Sequence, residues 1–526
     1  MLQKKGRVSW RGVVGLSVSL IILLACVTIV SAQEPQVGVY VNSSEVVVFW
    51  DPSEGFSNEV IIMNNTYETL LRYDPFTDTF EPVLAERYER SADGLTWTFY
   101  LRKGVKFHTG GVMDAEAVKF SIDRTIQGEA GAYYIWSAVD RIEVAGKYKV
   151  VFHLKYPAPL DLTVAAAYCA HIFDPDFSDR DWFYEGHDSG TGPYTIESNE
   201  GNNLVILKKF DDYWRGWEGK HFDKVVFQWV PEEGTRRLMI ESGEADFTNR
   251  LAVSEVEALR GNPDVEIVTI PSFQNLLALF NTAKSKDQPI GNPLVRKALA
   301  YTIPYDDILV GVRGGYARPP RGVVPEGLWG FSDRVMQYTL SLETAKVLLA
   351  QAGYPDGGFK LLLTYVAGDE DERRTAELWK SELAKLDVNL EIRGMPWEAQ
   401  VDLGSAADPN DRQDIYLFYW WPDYAHPHSF LSAMFETLEP PLFNFSYYDN
   451  PLFNAVIKAA DAIAAIDRNE AINLYVEAQN ILMADAAGAG IYSQEYVRPK
   501  RTSLKGYVDN PAYSHVVFWY DCYREE

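Results

Sequence analysis

The chain of 526 residues has few cysteines and a shortage of positive charge. Its three cysteines are too few for a small disulfide-stapled domain. Lysine and arginine number 49 against 74 acidic residues, and this net charge of -25 would repel the phosphate backbone of a nucleic acid. Hydrophobic residues make up 47% and charged residues 23%, as in globular proteins. We therefore expect a globular protein of several domains with no nucleic-acid partner.

Apolar stretches long enough to cross a membrane are lacking after the N-terminus. Four basic residues among the first eleven precede residues 12–30, which carry no charge. With small residues at Ser31 and Ala32, the pattern predicts a secretory signal peptide over 1–32, cleaved after Ala32. An uncleaved membrane anchor and a lipoprotein signal with Cys26 as the lipidated residue are the two alternatives. All three place the remaining chain outside the cytoplasm, in the periplasm or on the outer face of the cytoplasmic membrane.

Export leaves two cysteines, Cys169 and Cys522, in a compartment where disulfides can form. Their separation along the chain does not tell whether they are close in space. Two interpretations stay open, a disulfide between them or two separate buried thiols.

The short motifs of common enzyme classes are also missing. The sequence has no zinc-protease His-Glu-x-x-His pattern, no P-loop and no dinucleotide-binding glycine fingerprint. Residues 188–193 resemble the nucleophile segment of trypsin-like proteases, but no matching histidine segment accompanies them. A glycine-rich turn before a strand explains this segment better. A secreted hydrolase is therefore an alternative without an identified nucleophile and base, and we expect no enzyme activity.

Metal-ligand patterns are weak. His426 and His428 flank Pro427 and could share a face of an extended segment, with Asp423 as a third ligand. Hydrogen-bonded or solvated histidines explain the pair without a metal. The acidic loop 408–414 lacks the spaced oxygen ligands and turn glycine of an EF-hand. We expect neither a metal nor a cofactor.

The pattern of apolar residues predicts a mixed α/β protein, because strand-like and helix-like segments alternate. Alternation over 97–102 predicts a strand that buries Trp97, Phe99 and Leu101, and Asp114 is placed to cap the helix that follows. Further predictions are a helix over 341–352 that stops at Gly353, a hairpin of 194–197 with 204–208, and a largely helical region over 451–487.

Five groups of residues occur along the chain in a fixed order. They are 82–86 with 93–108; 190–194 with 212–216 and 242–246; 295–301; 352–359; and 420–424 with Pro427 and 429–431. Taken together, these segments resemble the family 5 extracellular solute-binding proteins of ABC transporters, the dipeptide, oligopeptide and nickel class. The resemblance extends over nearly all of the chain after the predicted signal peptide.

The resemblance implies an α/β, two-lobed periplasmic-binding-protein-like fold of the class II, cluster C type, with an extra inserted domain and a hinge. The implied boundaries are 33–66, 190–272 and 498–526 for the main domain of lobe 1, 67–189 for its inserted domain, and 273–497 for lobe 2. Chain crossings near 272 and 497 would form the hinge. The implied function is an extracytoplasmic receptor, a monomer, that captures a small ligand by closing and delivers it to the permease subunits of an ABC importer.

The aromatic segment 418–424 is the most informative about the ligand. By resemblance, Asp423 would accept the α-ammonium group of a short peptide and Trp420 would line the pocket. A buried cation needs such a paired anion. The alternatives are that Asp423 caps the turn into the helix near Ser429 and that Trp420 is a core aromatic. The candidate ligand-binding residues are Tyr419, Trp420, Trp421, Asp423 and Tyr424.

Aromatic planes beside a carboxylate also suit sugars, so an oligosaccharide on the same scaffold is the nearest alternative ligand. A sensor or chaperone-like binder without a permease is a further alternative. Aromatic residues that could add walls to the pocket are Tyr133, Tyr134, Trp136, Tyr316 and Trp329. Candidates to meet a peptide carboxylate are Arg318, Lys360 and Arg393, although solvated surface charge is the better default for each.

Overall fold

The computed structural model describes residues 35–43, 47, 49–200, 203–439 and 441–525. The predicted signal peptide over 1–32, with Cys26 and both anchor alternatives, lies outside these described residues. Within the described ranges, no helix combines the length and the apolar character needed to cross a membrane.

Strands and helices alternate along the chain. The strands are β1 (Val37–Asn42), β2 (Leu71–Asp74), β3 (Thr79–Pro82), β4 (Ala85–Arg90), β5 (Thr96–Leu101), β6 (Val139–Gly146), β7 (Lys149–Leu154), β8 (Tyr194–Asn199), β9 (Leu204–Lys209), β10 (Lys224–Trp229), β11 (Phe247–Thr248), β12 (Val265–Phe280), β13 (Ala317–Arg318), β14 (Phe359–Val366), β15 (Val388–Met395), β16 (Ile415–Trp420), β17 (Gly488–Arg501), β18 (Leu504–Lys505) and β19 (Tyr523–Arg524).

The helices lie between these strands. The α-helices are α1 (Val60–Thr66), α2 (Ala115–Gly128), α3 (Leu160–Thr163), α4 (Arg180–Tyr184), α5 (Glu233–Ser242), α6 (Val253–Leu259), α7 (Pro293–Ala300), α8 (Tyr305–Gly311), α9 (Leu342–Gln351), α10 (Glu370–Ala384), α11 (Trp397–Gly404), α12 (His428–Phe435), α13 (Pro451–Ala464) and α14 (Arg468–Asp485). Short 3-10 helices are Tyr133–Trp136, Pro175–Phe177, Pro289–Gly291, Pro409–Asp411 and Trp519–Asp521.

The predictions that rest on neighbouring residues in the sequence agree with these elements. Trp97, Phe99 and Leu101 are buried on one face of β5, and the Asp114 carboxylate accepts the N–H groups of the first turn of α2. β8 and β9 form the predicted antiparallel hairpin. The helix predicted over 341–352 is α9, and the region 451–487 divides into α13 and α14 around a break at 465–467.

In the described part of the chain, the largest sheet has eleven strands, in the order β15-β14-β16-β12-β17-β11-β1-β10-β9-β8, with β13 on β17. Parallel pairs join β1 to β10 and β11, and β14 to β15 and β16, while the other pairs are antiparallel. β4, β5, β7 and β6 form a separate antiparallel sheet within residues 67–189. The predicted mixed α/β class is confirmed.

The long strands β12 and β17 connect the two ends of the large sheet. They pair with each other on both sides of an irregularity between Pro271 and Asn275. On one side of this irregularity β17 also pairs with β11, and on the other side β12 also pairs with β16. A bulge of this kind bends and twists a strand locally. The irregularity lies within a few residues of the crossings predicted near 272 and 497, and the domain boundaries themselves stay a prediction.

The hydrophobic core divides in the same way. One cluster draws only on residues between Val41 and Leu259, and a second only on residues between Leu276 and Tyr492. The largest cluster takes residues from both predicted lobes. Apolar packing therefore holds each end of the large sheet and also joins the two ends.

Cys169 and Cys522 are both buried free thiols, so a disulfide between them is the wrong alternative. The Cys169 sulfur accepts the Ala132 N–H at 3.3 Å, and the Cys522 thiol lies 3.6 Å from the Phe518 carbonyl oxygen. Burial raises the pKa of both thiols above the ordinary value, which keeps them protonated and unreactive.

Candidate functional site

Asp423 lies in the loop between β16 and α12, with only 6% of its surface exposed. Its Oδ2 accepts hydrogen bonds from the Tyr134 hydroxyl and, at 3.2 Å, from the Ser429 hydroxyl. The Asp423 backbone N–H donates to the same Ser429 oxygen at 3.1 Å. No described residue donates a hydrogen bond to the second carboxylate oxygen, Oδ1. The carboxylate is therefore held in place by one oxygen, and the second is left available.

The environment of Asp423 changes its acidity. Burial raises the pKa of the carboxyl group to about 6, although the bonds from Tyr134 and Ser429 favour the ionised form. A cation beside a buried carboxylate lowers its pKa again, because the two charges attract strongly in a medium of low dielectric constant. The site is thus built so that a positively charged group would satisfy it.

The segment that carries Asp423 connects distant parts of the chain. Tyr134 belongs to the range 67–189, and Asp423 to the range 273–497. Two residues earlier, the Trp421 indole N–H donates to the Tyr168 hydroxyl at 2.8 Å, again between these ranges. Both contacts would break if the two ranges moved apart, so they depend on the relative position of the predicted lobes.

Trp420 points in another direction from Trp421. Its indole N–H donates to the Ser429 carbonyl oxygen at 2.9 Å, and its ring centre lies 4.8 Å from that of Phe443. The side chain is buried in the largest hydrophobic cluster. This packing fits the core alternative for Trp420.

Tyr419 and Tyr424 are the remaining predicted site residues. The Tyr419 hydroxyl meets that of Tyr492, beside the salt bridge of Arg313 with Asp371. Tyr424 is buried and stacks on His426, with ring centres 5.2 Å apart. Neither side chain contacts Asp423 by a hydrogen bond within the part of the chain described, so their ligand roles stay predictions.

His426 and His428 are the histidine pair that the sequence analysis considered as metal ligands. His426 Nδ1 accepts the His428 backbone N–H at 3.0 Å, and burial lowers the pKa of His426 well below its ordinary value. The described residues contain no group of three His, Cys, Asp or Glu side chains able to hold a metal ion. Trp329 packs on the His426 ring at 4.5 Å and donates to the Ala425 carbonyl oxygen at 2.8 Å. These rings shape the loop around Asp423.

Of the other aromatic candidates, only Tyr134 reaches Asp423. The Trp136 indole N–H donates to the Cys169 carbonyl oxygen at 2.8 Å inside the core, and Tyr316 contacts Glu257 at 3.0 Å. Tyr133 opens the 3-10 helix Tyr133–Trp136. The sequence offered no means to choose among these residues, because the choice depends on a contact between residues 289 positions apart.

Tyr168 and Glu59 are two residues near the site that the sequence analysis missed. Glu59 is fully buried, its Oε1 accepts the Ser57 N–H at 2.6 Å, and its Oε2 has no hydrogen-bond partner in the described chain. Burial raises the pKa of Glu59 to about 7. Burial, Glu59 and Asp423 together raise the pKa of Tyr168. The carboxyl groups of Glu59 and Asp423 thus contribute to the raised pKa of Tyr168, whose hydroxyl accepts the Trp421 indole N–H.

The protease-like segment 188–193 has a histidine close to it. His108 Nδ1 contacts Asp188, but its Nε2 is occupied by the Gly192 carbonyl oxygen at 2.9 Å. The Ser189 hydroxyl is buried and meets no hydrogen-bond partner among the described residues. The His108 ring therefore holds the glycine-rich turn in place and is not positioned as a base for Ser189.

Comparisons with known proteins agree with this architecture. The sequence matches the model of the bacterial extracellular solute-binding proteins, family 5 Middle, over residues 79–439. It is 27% identical over 474 residues to the glutathione-binding protein GsiB of Pectobacterium atrosepticum, covering 88% of this chain and 89% of that protein. It is 26% identical to the probable D,D-dipeptide-binding periplasmic protein DdpA of Escherichia coli, again covering 88% and 89%.

Among solved structures, the chain is similar to the ABC transporter-associated periplasmic binding protein DppA from Helicobacter pylori in complex with the peptide STSA. The TM-score is 0.81 with 26% sequence identity, covering 94% of this chain and 99% of that chain. The α/β fold that the sequence predicted, of the periplasmic-binding-protein type, is confirmed by this match.

Proposed function

Because the chain belongs to family 5 of the bacterial extracellular solute-binding proteins, we propose that it is the exported receptor of an ABC importer and that its ligand is a short peptide. The ligand binds between the two lobes, closure around it favours the closed form, and the permease subunits at the membrane receive it. The receptor acts as a monomer, with a signal peptide over 1–32. Peptides named for similar proteins, including glutathione, a D,D-dipeptide and STSA, support this ligand class.

The Asp423 carboxylate is the observation that carries the proposal. It is buried, it is fixed by Tyr134 and Ser429 through one oxygen, and the other oxygen is free to accept the α-ammonium group of a peptide. An ammonium paired with a buried carboxylate forms a charge-assisted hydrogen bond, about twice as strong as a neutral one. Since Tyr134 lies in the other predicted lobe, Asp423 both binds the ligand and forms a hydrogen bond that requires the lobes to be closed.

An oligosaccharide is not favoured as the ligand. Sugar rings stack on open tryptophan faces, and the Trp420 ring is enclosed by Phe418, Phe443 and the Ser429 backbone. Trp421 is only half-buried, but its indole N–H is already used by Tyr168. The carboxylate without a cation beside it is better matched to a positively charged ligand group.

The test begins with native mass spectrometry of the protein purified from cells, which identifies the peptides that it carries. Calorimetry with those peptides then compares the wild type with Asp423→Asn, which keeps the shape and removes the charge. We expect affinity to fall about 10- to 150-fold, the equivalent of about 1.5–3 kcal/mol for a charged hydrogen bond. N-acetylation of the peptide should cause a similar loss.

Asp461→Asn is the matched control, because Asp461 also accepts hydrogen bonds from a tyrosine and a serine but makes both within 273–497. Its affinity for the peptides should equal that of the wild type. Unchanged peptide affinity in Asp423→Asn would contradict the ammonium-binding role, and a co-purified series of hexose or pentose units would contradict the peptide ligand.

A further inference from the structure

A single salt bridge of the described residues joins the two predicted lobes. Arg468, the first residue of α14, donates through Nη1 to Asp78 Oδ1 at 3.0 Å and to Asp78 Oδ2 at 2.8 Å. Asp78 lies in the turn between β2 and β3, within the predicted inserted domain of lobe 1, and Arg468 lies in predicted lobe 2. Separation of the two lobes would break this pair.

Asp78 is held in place independently of Arg468. Its φ angle is 52°, in the left-handed region that residues other than glycine seldom adopt. Its Oδ1 accepts the Tyr73 hydroxyl at 2.8 Å, and the Tyr73 backbone N–H donates to the Tyr513 hydroxyl at 3.1 Å. Because the carboxylate is already fixed, less conformational entropy is lost when the pair with Arg468 forms.

Arg468 also contacts a residue that supports the candidate site. Its guanidinium carbon lies 4.5 Å from the centre of the Trp329 ring, which is a cation–π contact. The Trp329 indole N–H donates to the carbonyl oxygen of Ala425, which lies in the same loop as Asp423. A chain of contacts therefore runs from Asp78 in one predicted lobe to the Asp423 loop in the other.

The turn between α13 and α14 makes two further contacts with the predicted inserted domain. Arg90 on β4 donates a hydrogen bond to the Ala465 carbonyl oxygen. A Cβ atom on Gly94 would lie 3.7 Å from Ile466 Cγ1 and 3.8 Å from the Ala465 Cβ, so the turn after β4 packs directly against this segment. Three elements of the inserted domain thus meet residues 465–468.

A partly buried carboxylate of the inserted domain faces the same arginines. Burial raises the pKa of Asp161, on α3, to about 6, while the positive charges of Arg468 and Arg90 act in the opposite direction. No salt bridge joins Asp161 to either arginine in the described chain. The ionised Asp161 carboxylate attracts Arg468 without pairing with it, so the inserted domain presents two negative charges to this arginine of predicted lobe 2.

We propose that Asp78 and Arg468 form an ionic latch, which stabilises the closed form before a ligand arrives and couples the inserted domain to the Asp423 loop. This inference rests on the lobe closure of the proposed function and goes beyond it, because it gives the closed form a stability that depends on ionic strength. Of the two side chains, 36% of Arg468 and 55% of Asp78 is exposed. Salt screens charges in such positions, so the latch should weaken as the salt concentration rises.

The basic residues that the sequence suggested for a peptide carboxylate form no such connection. Arg318 donates to Glu495 at 2.9 Å, and Lys360 and Arg393 both pair with Glu391, at 2.6 and 2.7 Å. All of these residues lie within predicted lobe 2, so a movement between the lobes leaves their pairs intact. The pairs are partly exposed and fit the default of surface charge.

The experiment measures the distance between the lobes by double electron–electron resonance. Spin labels are attached to Arg141→Cys on the four-stranded sheet and Lys458→Cys on α13, whose native side chains are 62% and 70% exposed. The sample is protein that native mass spectrometry shows to be free of ligand. We expect a closed and an open distance, with the closed share falling between about 0.01 M and 1 M salt, as the Debye length falls from about 30 to about 3 Å.

Variants of the pair test the latch itself. At low salt, Asp78→Asn and Arg468→Gln should each lower the ratio of closed to open molecules about two- to fivefold, the effect of an exposed ion pair. Each should also remove most of the salt dependence. The double variant should open no further than either single variant, because the two residues act as one unit. Arg468→Lys should retain part of the wild-type ratio.

Arg373→Gln is the matched control, because the Arg373 and Glu370 side chains are 36% and 54% exposed and pair within α10 alone. It should keep the wild-type ratio. The latch is overturned if Asp78→Asn and Arg468→Gln also keep that ratio, or if the double variant opens by the product of their two effects.

Addition of di- to pentapeptides separates this inference from the proposed function. Closure of the wild type by peptides, with no effect of either single variant, overturns the latch and supports the proposed function. Distances that respond to Asp78→Asn and to salt but not to any peptide support the latch and contradict the peptide ligand. One unchanging distance in every sample overturns both.

Discussion

Asp423 and Asp461 receive the same kinds of hydrogen bond in two different regions. Asp461 on α13 accepts hydrogen bonds from the hydroxyls of Tyr475 on α14 and Ser432 on α12. Asp423 also accepts from a tyrosine and a serine, but its tyrosine, Tyr134, comes from a segment 289 residues away. At Asp461 these hydrogen bonds join three helices, whereas at Asp423 they connect the two predicted lobes. The two carboxylates therefore differ in the origin of the tyrosine donor and not in the kinds of donor.

The two neighbouring tryptophans provide the largest expected effect. Trp420→Ala removes a buried indole from the core and should lower the free energy of unfolding by about 3–5 kcal/mol. Trp421→Ala removes a half-buried ring with one hydrogen bond to Tyr168 and should cost only about 1–2 kcal/mol. Peptide affinity should change in the opposite order. Denaturant titration and calorimetry of both variants check this, and equal stability losses would break the distinction between the two rings.

The sequence predicted those features of the fold that depend on neighbouring residues. Alternation placed β5, the Asp114 carboxylate marked the start of α2, and Ser341 marked that of α9. At the candidate site, the family motif indicated Asp423. Tyr134 was one of five aromatic candidates and Tyr168 was not indicated, because their contacts with 420–424 join segments that only the tertiary fold brings together. A single side chain in such a segment leaves no periodic signal.

The two tyrosines sharpen the comparison of the carboxylates. Tyr475→Phe removes one of the two hydroxyl donors to Asp461 and should lower the free energy of unfolding by about 1–3 kcal/mol, with no change in molecular dimensions. Tyr134→Phe weakens the contact between the predicted lobes, so the unliganded protein should become more open. Small-angle X-ray scattering should then show a larger radius of gyration for Tyr134→Phe than for Tyr475→Phe. Equal radii would mean that Tyr134 does not contribute to closure.

Proton binding gives a smaller effect, a change in affinity of about fivefold between pH 5 and pH 6. Because burial raises the pKa of Asp423 to about 6, a peptide ammonium must displace a proton from it below that pH. Affinity should therefore fall by about twofold from pH 7 to pH 6, where about half of the Asp423 carboxyl groups carry a proton, and fall more steeply below pH 6. Calorimetry across this range checks the slope, and Asp423→Asn should abolish it.

Asp461 should affect stability instead of affinity. Burial raises its pKa too, so the folded protein holds the Asp461 proton more tightly than the unfolded chain does. Its contribution to stability is then present below the unfolded pKa of about 3.9 and is lost as pH rises through the folded value. A ligand affinity that still depends on pH in Asp423→Asn but not in Asp461→Asn would reverse the assignment.

Residues 515–519 complete the packing around β1 and α1. The Tyr40 hydroxyl donates to the His515 carbonyl oxygen at 3.1 Å, and the Asn65 side chain bonds both Val517 and Trp519. A Cβ atom on Gly38 would lie 2.6 Å from the Trp519 ring, so β1 is shaped around that ring. The cluster between Leu276 and Tyr492, by contrast, needs no contribution from either end. For a chain emerging N-terminus first, β1 can pair with β10 and β11 once residues 224–248 are out, but the groups that its Tyr40 hydroxyl and Gly38 contact, at 515 and 519, come out much later.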